Sequence, residues 1–408
     1  MLAYESRCAV CNLHHRELLD AAHIVPDAAG GPRVLSWLGD GTLRWWDVTA
    51  EPQIDDPMRH RDPLGARFIP DAPGGPRMLG GLRRDTVGWW DAATGEQLGR
   101  PMQHDHLFTG ARFVPDAPGG PRVLSWSVDK TIRWWDAASG HQIGNPMCHE
   151  DRVEGGRYVP DAPGGPRVLS WSGDCTLRWW DAVTGQPIGG PMRHEREVKG
   201  ARFVPDAPGC PRVLRWSWDK TIRWWDAVTG QQIGAPIRHE DTVTGARFVP
   251  DAPDGPRVLS WSYDETVRWW DPATGRPIGD PMRHNDCAAG ARFVPDAPGG
   301  PRVLSWSDDR TVRWWEAATG QPIGTPMRHE REVRGARFVP DAPGGPRVLS
   351  WSDDRTVRWW NATTGCELQR PLVCDQPVEM AIAYREKTRY VVLVLTDRLH
   401  RFEWRDHP

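Results

Sequence analysis

The sequence predicts an all-β fold: a single β-propeller of four-stranded antiparallel blades. The first observation behind this is a period. The second residue of a Trp-Trp pair falls at Trp46, Trp90, Trp135, Trp180, Trp225, Trp270, Trp315 and Trp360, a first step of 44 residues and then steps of 45. A fixed period of this size marks a repeat architecture. The second is composition within the period: four short runs of β-branched and aromatic residues, separated by Gly, Pro, Asp and Thr-Gly. The third is that no window sustains a helical period. Four short strands in about 45 residues match one blade.

Each strand follows from its residues. The first reads Ala-Arg-Phe-Val, as at Ala291 to Val294, and the loop Asp-Ala-Pro-Gly-Gly-Pro carries it to the second, Arg302-Val-Leu-Ser-Trp306. A tight Ser-Asp-Asp-Arg turn then leads into Thr311-Val-Arg-Trp-Trp315, which reads as a β-hairpin. A weaker Pro-Ile-Gly-x-Pro-Met run closes the unit. The second unit departs from this pattern at Gly80 and Arg84, and its loop after His60 is one residue shorter. Arg215 interrupts the fifth unit. Residues 380–402 align as a ninth set of three strands without the Trp pair, and Cys374 stands where a His is expected. With residues 9–15 as its outer strand, the last set completes nine blades, the N- and C-terminal strands sharing the closing one. Eight blades with a stray terminal segment is the alternative.

The net charge of −3, from 51 basic and 54 acidic residues, exerts no general pull toward nucleic acid or membrane. No apolar run approaches the roughly 20 residues of a span, and the N-terminus has no secretory core. Cys8, Cys11, Cys148, Cys175, Cys210, Cys287, Cys366 and Cys374 have irregular spacing, unlike a disulfide framework. The expectation is a cytoplasmic, monomeric protein without a cofactor.

Phe-Val-Pro-Asp, Leu-Ser-Trp-Ser-Asp-Asp and Thr-Val-Arg-Trp-Trp-Asp resemble the WD-repeat pattern, and the resemblance covers nearly the whole chain. It implies a buried tetrad of His, Ser, Asp and Trp in each blade. By position these are His15, Ser36, Asp40, Trp46; His104, Ser125, Asp129, Trp135; and His149, Ser170, Asp174, Trp180. The later sets are His239, Ser260, Asp264, Trp270; His284, Ser305, Asp309, Trp315; and His329, Ser350, Asp354, Trp360. His, Ser and Asp together invite a catalytic-triad reading. A catalytic set is needed once, not six times, so these read as structural and no catalytic residue is expected.

The N-terminal Cys8-Ala-Val-Cys11 and Asp20-Ala-Ala-His23-Ile resemble the first half of an HNH endonuclease core. That resemblance implies metal-dependent phosphodiester hydrolysis with His23 as general base. The second half is missing: from Asp27 the chain runs directly into a propeller hairpin. Residues 1–27 are therefore expected to be an HNH-like remnant supplying an outer and an inner strand, and residues 28–408 the propeller proper. Cys8 and Cys11 are candidate zinc ligands, but zinc prefers four, so no metal is expected.

Differences among the repeats point to a binding surface. The Asp-Ala-Pro-Gly-Gly-Pro-Arg and Ala-Ala-Thr-Gly loops barely change. Variation collects in the turn before the Thr strand and in the segment after the His, two loop classes that alternating strands bring to one face. Leu107, Phe108, Val128, Trp218, Tyr263, Glu240, Asp241, Asp308 and Asp353 are the candidate contacts, with Trp218 and Tyr263 as anchors. The leading expectation is a non-catalytic scaffold for a protein or peptide, with a basic partner favoured. An HNH-derived nuclease or nuclease regulator is the second reading, and a small ligand in a central channel the third. The recurrent first-strand arginines (Arg67, Arg112, Arg157, Arg202, Arg247, Arg292, Arg337) are expected to pack on Trp or pair with acids rather than form a phosphate-binding ring.

Overall fold

The computed structural model describes residues 22–404 apart from 29–30, 38–41, 48–57, 60–66, 70–71, 73–76, 84, 92–96, 197, 343, 369, 375–376, 379, 387–388 and 396–398. Every regular element among them is a strand. The strands form eight four-stranded sheets and one three-stranded sheet, each antiparallel between chain neighbours. We number the sheets one to nine in chain order. No described helix is long and apolar enough to cross a membrane. The chain divides into two compact units, one of Met1–Gly190 with Tyr384–Glu403, the other of Pro191–Ala383 with Trp404–Pro408.

The seventh sheet shows how the repeat sequence becomes structure. Its strands are Ala288–Val294, Arg302–Ser307, Thr311–Glu316 and Pro322–Arg328. Val303 lies opposite Trp315 and Leu304 opposite Trp314. The hairpin is set by its turn chemistry. Ser307 Oγ accepts the Asp309 N–H at 2.9 Å, and Asp309 Oδ1 accepts both the Thr311 N–H at 2.9 Å and the Thr311 hydroxyl at 2.6 Å. Arg310 sits between them at φ 68°, a left-handed conformation that disfavours any residue with a Cβ. The same turn position holds Lys130, Cys175, Lys220, Glu265 and Arg355 at positive φ.

Two packing features need particular residues. A Cβ on Gly290 would come within 2.2 Å of the Trp306 ring, so the first strand must carry glycine where that indole crosses it. On the same strand Phe293 stands edge-on to Trp269 of the sixth sheet, ring centroids 5.9 Å apart, and Phe338 repeats this on Trp314. Arg257 lies over the Trp269 ring and donates to the Ala317 carbonyl of the seventh sheet at 3.3 Å. Apolar rings, a cation and a carbonyl thus tie neighbouring sheets of the second unit.

Two sequence readings of the termini fall within the described backbone. Ala22–Ala28 is the first strand of sheet one, with His23 opposite Leu35, the register position Arg292 takes opposite Leu304. The ninth set exists as Met380–Glu386, Arg389–Leu395 and Leu399–Trp404 in one sheet. Cys8, Cys11, His15 and Asp40, and with them the proposed closing strand at residues 9–15, lie outside the described residues.

Candidate functional site

The four residues of each expected tetrad converge wherever their side chains are described. In the seventh sheet the Trp315 indole N–H donates to Ser305 Oγ at 2.7 Å, and His284 Nε2 lies 2.7 Å from the same oxygen. His284 Nδ1 lies 3.0 Å from Asp309 Oδ2. One assignment satisfies every group: the Ser hydroxyl donates to Nε2, and Nδ1–H donates to the carboxylate. Ser305 is fully buried, so its oxygen meets an indole and an imidazole rather than a substrate. The arrangement repeats at His104, Ser125, Asp129 and Trp135 and at His149, Ser170, Asp174 and Trp180 in the first unit. It recurs at His239, Ser260, Asp264 and Trp270 and at His329, Ser350, Asp354 and Trp360 in the second. For Ser36 and Trp46 the structure gives the backbone strands alone.

The network is larger than four residues. The Thr that opens the third strand donates to the Asp, and so does the main-chain N–H after the His, as from Asn285 to Asp309 at 3.0 Å. Arg313 adds a charged contact to Asp309 at 3.0 Å. Burial pushes the Asp309 carboxyl up, but the hydrogen bond and charge of His284, then Thr311 and the Asn285 N–H, hold it far below the usual carboxylate range. The signal was present in the sequence, since a Thr follows two residues after the Asp in every regular unit.

The fifth sheet breaks the pattern. Arg215 is fully buried and donates from Nη1 to the Met192 carbonyl at 2.9 Å. His194 keeps its Asp219 contact at 2.6 Å, but His194 Nε2 and Trp225 Nε1 have no hydrogen-bond partner among the described residues. Burial above all, and then the Arg215 charge, push the His194 pKa down to about 4.

The two variable segments of a repeat meet within their own sheet. In every regular sheet a main-chain hydrogen bond clips the hairpin turn to the segment after the His: Val128 N–H to Leu107 O at 2.8 Å, Tyr263 N–H to Thr242 O at 2.9 Å, and Asp308 N–H to Cys287 O at 3.1 Å. The Ser before each turn reinforces the clip, as Ser262 Oγ does at the Asp241 and Thr242 carbonyls. Leu107, Phe108 and Val128 belong to the first unit and the other candidates to the second. Phe108 must be withdrawn as a contact: it is fully buried in the core with Trp89 and Phe113. It opens the first strand of its sheet, a place that Val153, Val198, Val243, Ala288 and Val333 occupy elsewhere, all buried. Leu107 and Val128 are half-buried.

In the second unit Trp218 is 41% and Tyr263 52% exposed, at the same turn position of consecutive sheets. Carboxylates gather beside them. Burial and the charges of Asp308, Asp286, Asp241 and Glu265 push the Cys287 thiol up to about 12, so four acids converge on that sulfur. Asp308 is itself raised, by burial and then by Glu332, with Asp286 and Asp353 adding to it and Arg334 opposing. Three of the acids already have cations. Asp353 holds Arg334, Glu332 lies 2.9 Å from Arg334 as well, and Asp241 lies 3.6 Å from Lys220 Nζ. Glu240 is exposed. Among the described residues no cluster of His, Cys, Asp and Glu has metal-binding geometry.

No protein-family model matches the chain, and no curated protein matches its sequence. Among solved structures the chain is similar to the computationally designed Ika8 protein, with a TM-score of 0.58 and 24% identity over 84% of this chain and 96% of that one. At that identity the likeness speaks for the fold alone: an all-β, propeller-like repeat of four-stranded antiparallel sheets.

Proposed function

We propose that this chain is a non-catalytic WD-repeat scaffold that binds a protein or peptide through the loop face bearing Trp218 and Tyr263. The observation that carries the reading is the exposure of two large aromatic side chains at equivalent positions of adjacent sheets. Aromatic anchors in a polar surround are what interface hot spots use. The surround here is acidic, and Asp308 with its raised pKa is a carboxylate that a cation would relieve. The partner is therefore a segment rich in Lys or Arg. The buried hydroxyls of the His–Ser–Asp sets favour a structural role over a nucleophilic one. Affinity capture from lysate tests the reading, comparing the wild type with Trp218→Ala/Tyr263→Ala and with Asp296→Ala/Asp341→Ala in the constant loops at the opposite strand ends. The aromatic double variant should lose the captured protein, and the constant-loop variant should keep it.

The strand count further supports nine blades closed by residues 9–15 on the three-stranded ninth sheet. Deleting residues 1–16 should then leave an open edge that lowers the melting temperature and promotes association. Light scattering on an unchanged monomer, with an unchanged melt, would remove the closure.

A further inference from the structure

Second-strand arginines lie over tryptophan, as Arg257 does on Trp269 and Arg302 on Trp314, and third-strand Arg178 and Arg268 do so too. Arg247, Arg292 and Arg337 share one register position on the first strands, each opposite a leucine of its own second strand: Leu259, Leu304 and Leu349. Their strands, Val243–Val249, Ala288–Val294 and Val333–Val339, are successive neighbours within the second unit. Alternate residues of a strand point to opposite faces, so each arginine points away from the side on which its neighbouring Phe meets the preceding sheet. All three are half-buried.

The result is a row of like charges. Burial first, then the Arg247 and Arg337 guanidiniums on either side, bring the Arg292 pKa down to about 10, and each of these influences disfavours its charge. Arg292 nevertheless stays protonated at neutral pH. Burial and a like charge on either side raise the energy of the charged Arg292 guanidinium, and a ligand of matching negative charge would lower it.

We propose that Arg247, Arg292 and Arg337 form a binding site for a condensed phosphate. The planar guanidinium presents paired N–H groups that match phosphate oxygens two at a time. A condensed phosphate carries its charges on successive groups, as a row of one arginine per strand requires. The site uses the middle of the first strands, whereas the aromatic anchors sit in the hairpin turns, so either site stands without the other.

Isothermal titration calorimetry with inorganic tripolyphosphate, at an ionic strength held constant with sodium chloride, tests the site. The wild type should bind saturably, and more tightly as the salt is lowered. Arg292→Gln should weaken binding by about tenfold or more, the loss of one bidentate contact. It should also melt no lower than the wild type, because the repulsion is relieved. Arg337→Gln carries the same test should Arg292→Gln fail to fold. Arg331→Gln, which removes an exposed arginine from the loop after His329, should bind as the wild type does. An absence of saturable binding by the wild type, or an equal loss in Arg331→Gln, would overturn the site.

Discussion

The fifth and seventh sheets place nearly the same strands in the same register, yet one buried position separates them. Arg215 faces Arg223 in the fifth, and Ser305 faces Arg313 in the seventh. In the seventh sheet the indole, hydroxyl, imidazole and carboxylate form one connected chain. In the fifth the chain is cut: His194 and Trp225 stand 6.3 Å apart at a tilt of 52°, against 5.9 Å and 70° for His284 and Trp315. The fifth sheet nevertheless keeps all four strands. The strand ladder and the apolar layer therefore set the fold, and the polar network adds stability to it. One repeat loses the set while its strands persist, so the strands do not depend on it.

Several substitutions sharpen that contrast, and Ser305→Arg is expected to act most strongly. It buries a charge beside an intact network and should destabilise by about 4 kcal/mol or more, read from chemical denaturation. A smaller effect than that of Ser305→Ala would show that any repeat accommodates the guanidinium. Trp315→Ala should cost about 3–5 kcal/mol. Trp225→Ala should cost about 1 kcal/mol less, since its indole N–H has no hydrogen bond to lose. Equal losses in parallel melts would separate the tetrad hydrogen bonds from stability. Arg310→Gly and Lys220→Gly should each stabilise by about 0.5–1 kcal/mol, because both turns hold a non-glycine residue at positive φ. Equal gains in the two sheets would place the turn strain outside the network. A gain confined to one sheet would couple the two.

Much of this was legible in the chain. The 45-residue period and the Ser-x-Asp turn gave the strands, because turn chemistry and β-branched runs act locally. The tetrads were legible through a resemblance and repeated positions. Phe108 was misread because the segment after each His looks like loop. The apolar residue at that position in every repeat was the available sign of a strand beginning there. The arginine row was not legible, since alternation along a strand gives a direction but not which neighbouring strand's arginines lie close. The missing Nε2 hydrogen bond of His194 could be foreseen from Arg215, but the burial that depresses its pKa could not.

Arg215→Ser tests the structural account most directly, by thermal melting at pH 7 and again at pH 5. His194 in the folded protein protonates near pH 4 rather than near 6.5, so the unfolded chain binds the extra proton between those values. Stability attached to neutral His194 is complete above about pH 6.5 and is lost as the pH falls toward 4, by about 3 kcal/mol in all. Serine restores a donor for Nε2 and an acceptor for the Trp225 indole, and removes the charge that helps repel a proton. The variant should melt higher than the wild type at pH 7, and by a wider margin at pH 5. A variant that melts lower at both values would contradict the account, because Arg215 would then be a stabilising part of the fifth sheet.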